Sequence, residues 1–240
     1  WEDSMLHVQN MVLDNCLSTI KHETIYYPNK IKQIIGRLNT QNLPEKDERE
    51  AVETITELIE YYKGIFTILS SCAARQLEEV TFRRNTIPVQ ELFDAAGKYF
   101  RKVTKNRTEK VELIIEPMDA KVIGDVNQLR FLFENLIDEA LAVREEGVIR
   151  LQARKDNEYI RFLFTDTRRE KSVTELNQLF YPNLARMTSG EKGELRGTEY
   201  LICKQIIRDH DEFAGRRGCR INAEPAEGGG FTVYFTIPRR

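Results

Sequence analysis

His22 and Glu23 are the adjacent pair in this chain whose types most directly suggest chemistry. An imidazole presented to solvent can accept a transferred group at a ring nitrogen. A carboxylate beside it can orient the ring and take up its proton. The remaining nucleophiles form no comparable pattern. Cys16, Cys72, Cys203 and Cys219 contain no CxxC pair, and with His7, His22 and His210 they give no zinc-ligand spacing. Cys16 and Cys72 fall on apolar helical stripes, where buried thiols are ordinary, and unpaired cysteines fit a reducing compartment. His7 reads as unremarkable. His210, after Asp209 near an expected helix end, reads as a solvated side chain or helix cap.

What must position His22 is a helix. Leu13, Leu17, Ile20, Thr24, Tyr27, Ile31, Ile34 and Leu38 are spaced alternately four and three apart, a heptad seam. Counted from Leu17 as position a, His22 is position f, on the side away from the seam. Pro44 ends the pattern. A second seam follows through Val52, Ile55, Ile59, Tyr62, Phe66, Leu69 and Ala73, widened by Leu58, Ile65 and Cys72. That is more apolar surface than one hairpin covers, and two copies would bury it as a four-helix bundle. The rest of the chain differs in period. Val111–Ile115, Val148–Ala153 and Tyr159–Thr165 read as strands, the last two joined by a polar turn at Lys155-Asp156-Asn157. Asn127–Arg144 and Thr198–His210 read as helices, and the glycines at 228–230 lead into a final strand ending at Pro238. The expected fold class is α+β, with residues 1–84 a long antiparallel helical hairpin and residues 85–240 a two-layer α/β sandwich.

Composition excludes several classes. The 240 residues include 13 Gly and 7 Pro with 41% hydrophobic residues, which rules out collagen-like and low-complexity chains. Lys and Arg number 36 against 38 Asp and Glu, for a net charge of -2, so no bulk field draws the chain to nucleic acid. The longest uncharged apolar stretch, Gly64–Ala74, is too short to span a bilayer. The chain begins at Trp1 without a signal peptide and is expected to be a piece of a longer protein.

His22-Glu23 followed by Pro28 resembles the H-box of bacterial sensor histidine kinases, and further segments follow in that family's order. Gly124-Asp-Val-Asn-Gln-Leu-Arg130 and Glu134-Asn-Leu-Ile-Asp-Glu-Ala140 look like the approach to the N-box and the N-box itself. Phe164-Thr-Asp166 looks like the strand end carrying the adenine-binding Asp, and Leu179-Phe-Tyr-Pro182 like the F-box. Gly193-Glu-Leu-Arg-Gly197 and the helix after it look like the G2 segment. The resemblance implies a dimerisation and histidine-phosphotransfer hairpin joined to an ATP-binding domain of the gyrase, chaperone and histidine-kinase type. It implies catalytic His22 and Glu23, ATP at Asn135, Glu139, Asp166 and Gly197, and Mg²⁺ at Asn135 and Glu139. Its implied partners are a second copy through residues 1–84, a response-regulator receiver domain and an upstream sensor segment. It places the chain as the cytoplasmic portion of a longer bacterial sensor that can carry a membrane anchor.

The sequence departs from that pattern where phosphates and base should sit. Glu139 stands where the family has a Mg²⁺-binding Asn. A carboxylate is a legitimate ligand but adds negative charge beside a triphosphate. The G1 box reads Asp166-Thr-Arg168-Arg169-Glu170, so Arg168 replaces a glycine that lets backbone approach the nucleotide. Arg168 is expected to crowd the adenine pocket or rotate into it; alternatively Arg168 and Arg169 contact phosphates. In G2, Gly197 remains, while Leu195 and Glu199 replace glycines. Pro28 lies one place late, and Tyr26 replaces the family's Thr or Asn. Two functions stay open. One is ATP-dependent autophosphorylation on His22 with relay to a response regulator. The other is a degenerate module with weak or no ATP binding that signals as a conformational or scaffolding dimer. An ATPase of the gyrase and chaperone type is disfavoured, since those lack a His-bearing hairpin.

Overall fold

In the computed structural model, residues 2–40, 44–73, 82–182 and 197–240 are described, with side chains at 4–16, 29–39, 44–59, 82–182 and 197–240. Two long helices come first, α1 (Glu2–Thr40) and α2 (Glu45–Ala73), forming the expected helical hairpin. The break between them falls where Pro44 forbids helix. The seam positions Ile31, Ile34, Leu38 and Ile55 are half-buried and Leu58 is buried, whereas Val52 and Ile59 are 55% and 46% exposed. The chain forms two compact units. One comprises Trp1–Gln9, Glu78–Tyr181 and Glu199–Arg240; the other comprises Asn10–Leu77 and Pro182–Thr198.

The first unit is a layered α+β domain. Its sheet has the order β2 (Val111–Ile115), β4 (Gly147–Asp156), β5 (Tyr159–Asp166), β7 (Phe231–Pro238), β6 (Ile221–Pro225). The β2–β4 pair is parallel and the others antiparallel. A separate ribbon pairs β1 (Asn85–Pro88) with β3 (Lys121–Gly124). Helices α3 (Val89–Thr104), α4 (Val126–Leu141) and α6 (Glu199–Phe213) complete it, with a short α5 (Val173–Gln178) capped by a Ser172–Glu175 box. Strands alternate as a one-sided sheet must: Ile160, Phe162 and Phe164 are buried, while Arg161 points out. Phe93 of α3, Phe133 of α4, Phe162 of β5 and Phe235 of β7 meet in one cluster. The Phe162 and Phe235 rings stack 4.9 Å apart, and Phe93 and Phe133 meet them edge-on or tilted. Such pairs add about 0.5–1.5 kcal/mol each beyond the area they bury. The helix expected from Asn127 to Arg144 runs Val126–Leu141, and the one expected from Thr198 to His210 runs Glu199–Phe213.

α4 begins at a dense polar joint. Asp125 is its N-cap, with Oδ1 accepting the Asn127 and Gln128 N–H groups at 3.0 and 3.1 Å. Its Oδ2 accepts the N–H of Arg83 at 2.8 Å, which pins the segment entering the domain. The Asp125 N–H donates to Nε2 of His210 at 3.1 Å, and Nδ1 of His210 lies 2.7 Å from the Ile206 carbonyl. The ring is therefore neutral with its proton on Nδ1. Phe82 packs on it edge-first at 4.9 Å. A Cβ at Gly124 would lie 2.7 Å from the same ring, so only glycine fits beside it. The expectation that His210 is solvated is thus corrected: the ring is fully buried, covered by segments distant in sequence.

Burial lowers the His210 pKa to about 4, against weaker upward pulls from the Ile206 carbonyl and Asp125. Below about pH 6.5 the unfolded chain takes up a proton here that the folded chain refuses, so stability falls as pH drops toward 4. Between about pH 7 and about pH 5, this residue alone is expected to cost about 2 kcal/mol. Urea unfolding should show that loss in the wild type and its absence in His210→Gln. Equal pH dependence in both would contradict the assignment.

Candidate functional site: a carboxylate at the end of β5

Asp166 closes β5, opposite Phe231 of β7 and Ile149 of β4. Two features bring backbone close around it. Gly230, at φ +81°, precedes β7, and a Cβ there would lie 2.1 Å from the Asp166 carbonyl oxygen. The Thr167 N–H and hydroxyl both donate to the Val148 carbonyl, at 3.2 and 2.7 Å, holding the chain as it leaves the strand. The Asp166 side chain is 1% exposed.

Its carboxylate is satisfied from within the chain. Arg168 donates in a fork, Nε to Oδ1 at 2.8 Å and Nη2 to Oδ2 at 2.9 Å, and the Arg168 N–H adds a third bond to Oδ1 at 3.1 Å. The same guanidinium donates through Nη2 to the Ala140 carbonyl at 2.6 Å and through Nη1 to the Glu145 carbonyl at 3.0 Å. The Arg168 side chain is itself 1% exposed. Gly147, at φ +136°, makes room: a Cβ there would meet Arg168 Cγ at 2.8 Å. Arg169 adds Nε to Asp166 Oδ2 at 3.3 Å and Nη2 to the Glu139 carbonyl at 3.4 Å. Both Arg168 and Arg169 turn onto Asp166.

Asn135 and Glu139 lie one turn apart on α4, on one face, and both are buried. Asn135 donates its side-chain N–H to the Phe131 carbonyl of its own helix at 2.7 Å. Arg169 links Glu139 to Asp166. Gly197 adopts φ +71°, a conformation that favours glycine, just before α6. It falls in the other compact unit. His22 and Glu23 fall on α1, but their side chains lie outside the described residues. Residues 183–196, including Gly193 and Leu195, also lie outside them.

The Asp166 carboxylate is not free to take a nucleotide base. The carboxylate that would read the base already accepts from two arginines. On the other side of α4, burial raises the pKa of the Cys203 thiol well above its usual value, with Glu199 and Glu139 adding to the shift. Sequence reasoning reached Asp166 and Arg168 but not Gly147 or the Ala140 and Glu145 carbonyls. Gly147, just before an alternating strand, was the one visible signal for them.

Residues 124–240 match the family model described as histidine kinase-, DNA gyrase B-, and HSP90-like ATPase. The fold is similar to that of histidine kinase ThkA in its complex with response regulator protein TrrA. That match is at 17% identity and TM-score 0.53, over 96% of this chain and 63% of that one. It is also similar to the nucleotide-free catalytic domain of ThkA, at 19% identity and TM-score 0.52 over 67% and 97% of the two chains. Full-length ShkA in complex with AMPPNP matches at 14% identity and TM-score 0.52 over 93% and 45%. No curated protein matches the sequence. Among the described residues, no helix is long and apolar enough to cross a membrane.

Because Arg168 is buried with Asp166, removing the carboxylate strands the charge of the guanidinium. Asp166→Ala is expected to cost about 3–5 kcal/mol of stability. The Asp166→Ala/Arg168→Ala double variant should lose less than the two single losses summed, with a coupling of about 1–3 kcal/mol in denaturant unfolding. Additive losses would show that the fork contributes nothing specific.

Proposed function

We propose that this chain, whose residues 124–240 belong to the histidine kinase-, DNA gyrase B-, and HSP90-like ATPase family, is the transmitter core of a two-component sensor whose nucleotide site is held shut from within. The observation that carries this reading is the Arg168 fork on Asp166, both side chains 1% exposed. A nucleotide base recognised by that carboxylate would have to displace an ion pair with two further carbonyl bonds. In this reading residues 1–84 are the dimerising hairpin, residues 85–240 the kinase-like domain, and the output is conformational or scaffolding. Exposed Val52 and Ile59, both on the second seam, support a second copy as the hairpin's partner. ThkA, captured with its response regulator TrrA, supports a receiver domain as the downstream partner. His22 and Glu23 are the residues through which an active form would pass phosphate to that receiver. The chain would then be the cytoplasmic part of a longer sensor.

The direct measurement is incubation with γ-labelled ATP and Mg²⁺, comparing wild type with His22→Gln. The expected result is no acid-labile label above the His22→Gln background and no thermal shift with ATP analogues. Label on wild type alone would overturn the closed-site reading and establish autophosphorylation. For the dimer, Val52→Asp combined with Ile59→Asp is expected to shift the sedimenting species from dimer to monomer. A wild-type protein that stays monomeric at high concentration would sink that part of the proposal.

A further inference from the structure

The guanidinium in the Asp166 pocket has the features of a bound ligand. It is planar, it is buried, and it uses four hydrogen bonds to acceptors from three separate segments: two to the Asp166 carboxylate at the end of β5, one to Ala140 in the last turn of α4, and one to Glu145 in the turn before β4. A planar group with parallel N–H donors is what this acceptor set recognises. The 6-amino edge of an adenine offers the same kind of donor. We infer that Arg168 is a tethered occupant of the base site: its guanidinium stands in for the adenine amine at Asp166 and competes with adenine nucleotides for that carboxylate. This inference rests on the proposed reading of the chain as a kinase-like core with its base site at Asp166.

The surroundings support a removable plug. Arg168 leaves the strand only two residues after Asp166, and its aliphatic stem lies against Gly147, where no side chain intervenes. The Asp166 carboxylate keeps a second donor, Nε of Arg169 at 3.3 Å, so it is not stranded when Arg168 is shortened. The strand exit is held separately by Thr167 on the Val148 carbonyl. A self-occupied site lowers apparent affinity by the fraction of molecules in which it is open, and removing the occupant removes that penalty.

The test is the affinity of the full chain for ADP, by calorimetry, in wild type, Arg168→Gly and Arg168→Gly/Asp166→Ala. Arg168→Gly is expected to bind ADP at least about tenfold more tightly than wild type. The double variant should lose that gain. GDP should show no gain, because its 6-oxo acceptor would face the carboxylate. As a check that does not depend on nucleotide, millimolar guanidinium should raise the thermal midpoint of Arg168→Gly saturably and leave wild type unchanged. Should Arg168→Gly fail to fold, Arg168→Ala carries the same expectations. If the Arg168 variant gains no ADP affinity, with or without guanidinium rescue, the inference is overturned while the closed-site reading stands. If wild type binds ADP as tightly as the variant, the closed-site reading falls with it.

Discussion

The structure around the site depends on where one guanidinium places its protons. Arg168 joins the end of β5, the last turn of α4 and the turn before β4, three segments that the chain brings together from separate places. α4 ends at Leu141 without a basic residue in its last turn, so its terminal carbonyls need donors from elsewhere. Arg168 supplies one to Ala140 and Arg107 supplies another to Leu141 at 2.7 Å. A cation at a helix C-terminus also meets the negative end of the helix dipole. The pocket is thus electrostatically complete: a buried carboxylate and the carbonyl end of a helix share one buried cation. Burying such a pair is weak evidence for stability, since desolvation offsets most of the attraction. Its clearer consequence is occupancy.

The two ends of α4 are held by different machinery. At the start, Asp125 caps the helix, takes the Arg83 N–H and donates its own N–H to His210. At the finish, Arg168, Arg169 and Arg107 hold the carbonyls of residues 139–141. Sixteen residues of α-helix span about 24 Å. The segment that enters the domain at Phe82–Arg84 and the acceptors that retain Arg168 are therefore opposite ends of one rigid element. Asn135 and Glu139 ride on it between them.

Much of this was legible in the sequence. The seam period gave α1 and α2 and the Pro44 break, alternation gave β4 and β5, and the glycines at 228–230 announced the terminal strand. The replacement of glycine by Arg168 was visible because glycine's conformational freedom is a property of residue type. The direction in which Arg168 turned was not, because it depends on carbonyls of residues 140 and 145, about two dozen positions earlier, and on space left by Gly147. His210 failed for a related reason. Its local setting, a polar helix end after Asp209, suits a solvated ring, but Gly124 and Phe82 bury it from 86 and 128 residues away. α3 was missed although its buried positions, Val89, Leu92, Phe93, Ala96 and Phe100, carry a readable helical period. The ribbon strands β1 and β3, four residues each and one ending in Pro88, carry too little pattern to read.

In the proposed reading one obstacle stands against an adenine nucleotide, and it acts at the base end. Arg168 occupies the carboxylate that would take the base. A guanidinium plug can be displaced by a competing donor, since the acceptors remain. In the proposed reading the base end of the site is therefore closed by occupancy. Relieving that occupancy returns the Asp166, Ala140 and Glu145 acceptors to a base and changes nothing else in the chain, so on this reading an opened pocket is first an adenine-binding one.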